Sequence, residues 1–277
     1  MTRPVLLTLG HGYSAQALAA SLGPDWHVIA GTRDPAAAAP WEPLDWRDGP
    51  AVEAAIARAS HVLVSAPPEA EGDPILARFG PALAARGPEW VGYLSTTGVY
   101  GDREGGWVDE ETPLAPANDR SRWRVAAEAA WRATGLPVES FRLAGIYGPG
   151  RSALDRLRAG RAQRIVKPGQ VFSRIHAEDI AQALAASIAT PRPGAAWNLA
   201  DDEPAPPQDV ILYAAELLGM EPPPEIPFDA ADLSPMARSF YGESKRVSNR
   251  RLREVLGVSL RFPTYREGLR GVLAAGG

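Results

Sequence analysis

The chain has 277 residues, 45% apolar and 22% charged, close to the balance of an ordinary globular protein, so neither a disordered nor a fibrous architecture is expected. A formal charge of −4 argues against nucleic acid or an anionic membrane as partner, and the absence of cysteine removes disulfides, thiolate metal sites and cysteine nucleophiles. No apolar run approaches the roughly 18 residues of a membrane helix, and the short apolar stretch after Arg3 lacks the pattern of a signal peptide, so a cytoplasmic location is expected.

In chain order, short apolar or β-branched runs alternate with longer alanine-rich segments. The runs predict strands at Val5–Leu9, Trp26–Ala30, His61–Ser65, Trp90–Ser95, Val138–Leu143 and Ala195–Leu199. The segments predict helices at Ser14–Ser21, Ala51–Ala59, Pro74–Ala85, Ser121–Ala133, Ala177–Ala189 and Gln208–Leu218. Such alternation predicts an α/β fold, a Rossmann-type parallel sheet with helices on both faces. After Gly148 the pattern gives way to Arg-rich and Pro-rich loops. The expected division is therefore a dinucleotide-binding part over 1–148 and about 175–200, and a small C-terminal substrate lobe over about 149–174 and 201–277.

The first strand runs into Gly10-His11-Gly12-Tyr13-Ser14-Ala15, a G-x-G-x-x-A turn that opens a helix. Gly10 permits a tight turn, Gly12 lets backbone approach a pyrophosphate, and Ala15 lets helix and strand pack closely, with Tyr13 beside them at the helix N-terminus. The second strand leads into Gly31-Thr32-Arg33-Asp34, where a Rossmann fold reads the adenosine ribose. Thr32 and Arg33 suggest a 2′-phosphate and hence NADP, while Asp34 keeps NAD open. Asp45 is a candidate for reading the adenine edge, and Ser65, Ala66 and Pro67, after the His61 strand, are further candidate cofactor contacts.

The segment Ser95-Thr96-Thr97-Gly98-Val99-Tyr100-Gly101 resembles the S-[ST]-x-x-V-Y-G stretch of extended short-chain dehydrogenase/reductases, the family of nucleotide-sugar epimerases and dehydratases. Arg142-Leu143-Ala144-Gly145-Ile146-Tyr147-Gly148-Pro149-Gly150 is similar to its R-x-x-x-[IV]-Y-G-P-G motif, and His176-Ala177-Glu178-Asp179 to its H-V-x-D segment. The region from Lys245-Arg246-Val247-Ser248-Asn249 to Phe262-Pro263 resembles its C-terminal part. The resemblance implies a catalytic hydroxyl at Thr96, able to hydrogen-bond a substrate oxygen as charge develops. It also implies a Tyr-x-x-x-Lys on the next helix, but the register of Ala126-Ala127-Glu128 puts Arg120 at the Tyr position and Arg124 at the Lys position. The chain is thereby placed in an atypical branch, with Arg124 a candidate for the nicotinamide ribose. A guanidinium stays protonated and cannot shuttle protons as a phenol does. Tyr100 and Tyr147 are therefore the candidate acid/base groups beside Thr96.

Arg151 to Lys167 holds five arginines and one lysine, and Lys245 to Arg253 is basic again. Guanidinium groups suit phosphate or carboxylate, and a solvated face is the competing reading. Arg151, His176, Lys245 and Arg246 are the candidate substrate contacts, and the histidines show no metal-ligand spacing. The expectation is an NADP-dependent oxidoreductase or epimerase/dehydratase-like enzyme acting on a small polar or nucleotide-sugar-like metabolite. The alternative is a non-catalytic NADP-binding sensor. The partner is a small molecule, and the oligomeric state is left open.

Overall fold

The structure, a computed structural model, describes residues 3–276. Seven strands form one sheet: β1 (Val5–Leu9), β2 (His27–Thr32), β3 (Glu42–Asp45), β4 (His61–Val64), β5 (Trp90–Thr96), β6 (Val138–Leu143) and β7 (Ala196–Leu199). Their order is β3-β2-β1-β4-β5-β6-β7 and every pairing is parallel. The helices in chain order are α1 (Tyr13–Ser21), α2 (Gly49–Arg58), α3 (Pro74–Arg86), α4 (Asp119–Ala133), α5 (Ala153–Arg158), α6 (Ala177–Ala189), α7 (Pro207–Leu218), α8 (Pro235–Phe240), α9 (Arg250–Glu254) and α10 (Tyr265–Ala274).

Parallel strands need crossovers, and the crossovers cover both faces, so the strands read as nearly continuous apolar runs. Successive residues then serve opposite cores. Leu6, Leu63, Leu94 and Phe141 join one buried cluster with Leu18 of α1 and Ile180 and Leu184 of α6. Leu7, Leu9, Val62 and Val64 join the other with Ile56 of α2, Phe79 of α3 and Trp131 of α4. A third cluster packs α5, α7 and α10 through Leu154, Leu157, Ile211, Leu269 and Val272.

Strand β7 joins β6 only after the excursion through α5 and α6, and α6 packs on α1. Three short parallel pairs bind the C-terminal segments to the rest: Gly145–Tyr147 with Arg174–His176, Arg164–Val166 with Glu225–Pro227, and Trp107–Val108 with Arg246–Val247. No helix among the described residues is long and apolar enough to cross a membrane.

The β3 strand was not anticipated from sequence. It holds only four residues and one is Pro43, which a ladder tolerates because β3 is the sheet edge.

Candidate active site

Strand order reverses between β1 and β4, so the loops at the carboxyl ends of these two strands diverge and leave a crevice. At the β1–α1 turn Gly10 has φ 100°, and a Cβ there would come within 2.7 Å of Ser65 Oγ and the Ala66 nitrogen. The turn is pressed against the tip of β4, and only glycine fits both demands. The Ser65 hydroxyl donates to the Gly10 carbonyl and locks the two tips together. At Gly12 a Cβ would meet nothing within 4 Å, so the space before it is open.

Gly12 is also the N-cap of α1, with no side-chain hydrogen bond to the first turn and no acidic residue in it. By contrast α2, α3, α4 and α6 are capped by Asp48, Asp73, Asn118 and His176. The free amides of α1 and its positive dipole end therefore face open space, an arrangement that favours an anion. Ala15 is buried, as close packing of helix on strand requires. The Tyr13 hydroxyl donates to the Pro149 carbonyl at 2.9 Å, and the Arg151 guanidinium lies 5.8 Å over the Tyr13 ring. Tyr13 and Arg151, far apart in sequence, thus meet across the mouth of the crevice.

At the tip of β2, Thr32 Oγ1 accepts the Asp34 amide at 3.2 Å. Arg33 is exposed, and its guanidinium has no partner among the described residues. Asp45 is not a free reader of an adenine edge. Arg47 donates to it from the backbone nitrogen, from Nε at 2.8 Å and from Nη2 at 2.7 Å. Those bonds pull its pKa down to about 2. Arg47 also donates to the Arg33 carbonyl at 3.1 Å, which ties the loop after β3 to the tip of β2.

Beyond the tips of β4, β5 and β6 opens a cleft of about 1160 Å³, walled by residues 143–174 on one side and by segments between 207 and 269 on the other. Pro67, Thr96 and Arg124 line it. Thr96 Oγ1 accepts the Gly98 amide at 3.1 Å, so its proton remains available to the cleft. Arg124 Nη1 donates to the Leu94 carbonyl at 2.5 Å and to the Tyr93 hydroxyl at 3.2 Å, which fixes a positive charge beside Thr96.

Four of the expected site residues are placed elsewhere or turned away. Tyr100 is completely buried; its hydroxyl donates to Asn198 Oδ1 at 2.7 Å and accepts from Arg142 Nη1 at 2.9 Å. Arg142 in turn pairs with Glu128 at 2.8 Å inside the protein, so Tyr100 belongs to a core network and not to the cleft. Tyr147 lends its ring to the cleft, but its hydroxyl lies against Gly268 of α10, where a Cβ would come within 1.9 Å. His176 is buried, caps α6 by accepting the Glu178 amide on Nδ1, and packs between Tyr147 and Phe262. Burial lowers its pKa to about 4, so it is a neutral structural residue and not a substrate contact. The Arg246 guanidinium donates to the Gly105 carbonyl, outside the cleft lining, which also removes it from the substrate set. Lys245 does line the cleft, but its ammonium is held by Glu243 at 2.6 Å.

The cleft also contains groups that the sequence reading did not single out. Six arginines and Lys245 line it, against Asp155 and Glu243. Arg156 and Arg161 lie inside the basic stretch without distinction, because neither the spacing on the six-residue helix that carries Arg156 nor the loop that carries Arg161 says which side chain turns inward. Arg174 was hidden in the segment read for His176.

No family model matches the chain. The chain is 54% identical to a functionally unknown conserved protein from Silicibacter pomeroyi DSS, whose structure gives a TM-score of 0.92 over 98% of this chain and 99% of that one. It is 36% identical over 146 residues to Protein YeeZ of Escherichia coli (strain K12), 51% of this chain and 50% of YeeZ, so the match spans about half the length of that curated relative. The fold is shared with MoeE5, solved in complex with UDP-glucuronic acid and NAD, at 22% identity and a TM-score of 0.78 over 96% of each chain. The all-parallel order and the glycine turn are thus set in a Rossmann-type framework.

Proposed function

Because the chain belongs to the same family as the functionally unknown Silicibacter pomeroyi protein, we propose its function from the geometry: an NADP-binding, short-chain dehydrogenase-like enzyme acting on a small polar metabolite. The observation that carries this reading is the uncapped N-terminus of α1, open in front of Gly12 and set at the point where strand order reverses. A dinucleotide fits there: its pyrophosphate meets the free amides of α1, and Arg33 stands unpaired where the adenosine ribose would lie. NAD bound to MoeE5, on the same fold, supports a nicotinamide cofactor. When bound, that cofactor supplies a hydride donor or acceptor.

The chain's own residues do the rest. Thr96 lines the cleft and its hydroxyl only accepts within the protein, so its proton is free to stabilise charge on a substrate oxygen. Arg124, pinned by the Leu94 carbonyl, contributes a fixed positive charge and no transferable proton. The second reading, a cofactor-bound sensor without turnover, has one specific observation in its favour. The helix that follows Thr96 offers Arg120 and Arg124 where a phenol and an amine would do acid/base work.

Titrating NADPH and NADH against wild type and Arg33→Ala tests the cofactor assignment. Charge-assisted hydrogen bonds contribute about 1.5–3 kcal/mol each, so NADPH is expected to bind one to two decades more tightly than NADH, an advantage lost in the variant. Equal affinities in wild type would overturn it. Turnover of an NADPH-loaded sample over a panel of carbonyl substrates separates enzyme from sensor.

A further inference from the structure

Of the seven cations that line the cleft, Arg151, Arg156 and Arg161 make no side-chain hydrogen bond or ion pair among the described residues, and Arg174 makes only part of its set. Lys245 is paired with Glu243, Arg124 with the Leu94 carbonyl, and Arg120 with Ser239 Oγ at 3.2 Å. Arg156 and Arg174 are set apart because their charges act on one and the same side chain, that of Tyr241. Arg156 of α5 is open to solvent on the cleft side and makes no ion pair and no side-chain hydrogen bond among the described residues, while the protein packed around it lowers its pKa. Arg174 is anchored through Nη1 alone, which donates to the Phe172 carbonyl at 2.8 Å and the Ala205 carbonyl at 3.1 Å. Its Nε and Nη2 have no partner among the described residues. Each guanidinium is electrostatically coupled to the Tyr241 side chain, whose hydroxyl is likewise unpartnered, and the two feel each other's charge. Three segments distant in sequence therefore bring two uncompensated positive charges and a hydroxyl donor to one part of the cleft. Holding the shielded charge of Arg174 near a second positive charge is unfavourable, and an anion that reaches both relieves it.

Behind Arg174 lies Asp201, 1% exposed, with both carboxylate oxygens unpartnered. Its amide donates to the Arg174 carbonyl at 2.6 Å, so the two residues are neighbours, yet their side chains form no ion pair. We propose that Arg156, Arg174 and Tyr241 form a subsite for a phosphoryl or carboxylate group of the substrate, with Asp201 behind it as the group that sets its charge balance. The proposal rests on the reading of the cleft as a substrate site. Protonated, Asp201 leaves the charge of Arg174 for the incoming anion; ionised, it competes with that anion. Burial raises its pKa to about 8, against the opposing influence of Arg174. Glu203 and Asp202 on its own segment push the same way as burial, and Tyr147 faces it from the neighbouring strand pair.

Sulfate and succinate, a tetrahedral and a carboxylate dianion whose charges hold steady from about pH 7 to pH 9, are the probes. They are titrated calorimetrically into the full chain, and NADPH affinity is measured in parallel. Wild type is expected to bind at least one of them at about pH 7, and Arg156→Gln to weaken that binding roughly tenfold or more, as loss of a charged hydrogen bond implies. Arg158→Gln, outside the cleft, serves as the control and is expected to bind like wild type. Raising the pH to about 9 should weaken wild type severalfold and leave Asp201→Asn nearly unchanged. The preferred probe tells phosphoryl from carboxylate. Unaltered affinity in Arg156→Gln, or equal pH dependence in wild type and Asp201→Asn, overturns the proposal. Since NADPH binding is read separately, loss of the cofactor reading leaves this result standing, and the converse also holds.

Discussion

Tyr100 illustrates how a single residue's role depends on where its hydroxyl points. Its segment resembles a catalytic stretch, and the sequence reading makes it an acid/base candidate next to Thr96. Four residues along the chain, however, the 3₁₀ turn Thr97–Tyr100 has carried the ring into the core, where the hydroxyl meets Asn198 and Arg142. Burial raises its pKa further from any working range. Tyr100→Phe should therefore cost about 1–3 kcal/mol of stability, because it strands a buried acceptor and a buried charged donor. NADPH affinity should stay the same. Chemical denaturation and cofactor titration of the one variant check both halves; unchanged stability with lowered turnover would return Tyr100 to the active site. The Gly10–Gly12 turn was legible because it depends on backbone demands at a strand end. The fates of Tyr100, His176 and Arg246 were not, because they depend on partners such as Asn198, Phe262 and Gly105 that lie far away in sequence.

Elements were easier to read than side chains. The strands Val5–Leu9 and Val138–Leu143 and the helix Ala177–Ala189 have the bounds that periodicity predicts, since each is an apolar run or stripe bordered by turn residues. The others shift by a residue or two at their ends, as capping details decide. What the six predicted strands and six predicted helices omit is short or locally atypical: β3 with Pro43 at the sheet edge, α5 inside an Arg-rich stretch, the short α8 and α9, α10 with Gly268 and Gly271 inside it, and the two- and three-residue strand pairs. Such pieces are stabilised by long-range pairing, and no local window contains that information. They matter here because α5 and the Arg174–His176 strand deliver Arg156 and Arg174 to the cleft.

For the whole molecule, buried ionisable groups set the pH range of stability. Asp201 has its folded pKa raised to about 8, above an ordinary value of 3.8, so the folded state holds a proton that the unfolded chain releases. The protonated group's contribution is intact below about pH 4 and is lost as pH rises through about 8. Asp179, raised to about 6 by burial, acts with the same sign over a narrower window. His176, lowered to about 4 by burial, acts from the other side: the unfolded chain takes up a proton below its ordinary value of 6.5, and stability declines from there toward pH 4. Between about pH 4 and 6 the two aspartates outweigh His176, and above about pH 6.5 Asp201 acts alone, so these groups together make urea stability fall as pH rises from about 4 toward 8. Asp201→Asn should remove much of the decline between about pH 4 and pH 8, and a variant as pH-sensitive as wild type in that interval would contradict the assignment.

The proposed cofactor reading depends on α1 beginning at an uncapped, open N-terminus where the strand order reverses. A crystal structure of the chain grown with saturating NADPH tests that claim most directly. The account predicts the cofactor's diphosphate within hydrogen-bond reach of the amides at the start of α1, beside Gly12 and Tyr13, with the adenosine ribose beside Arg33. NADPH bound elsewhere, with those amides untouched, would contradict it.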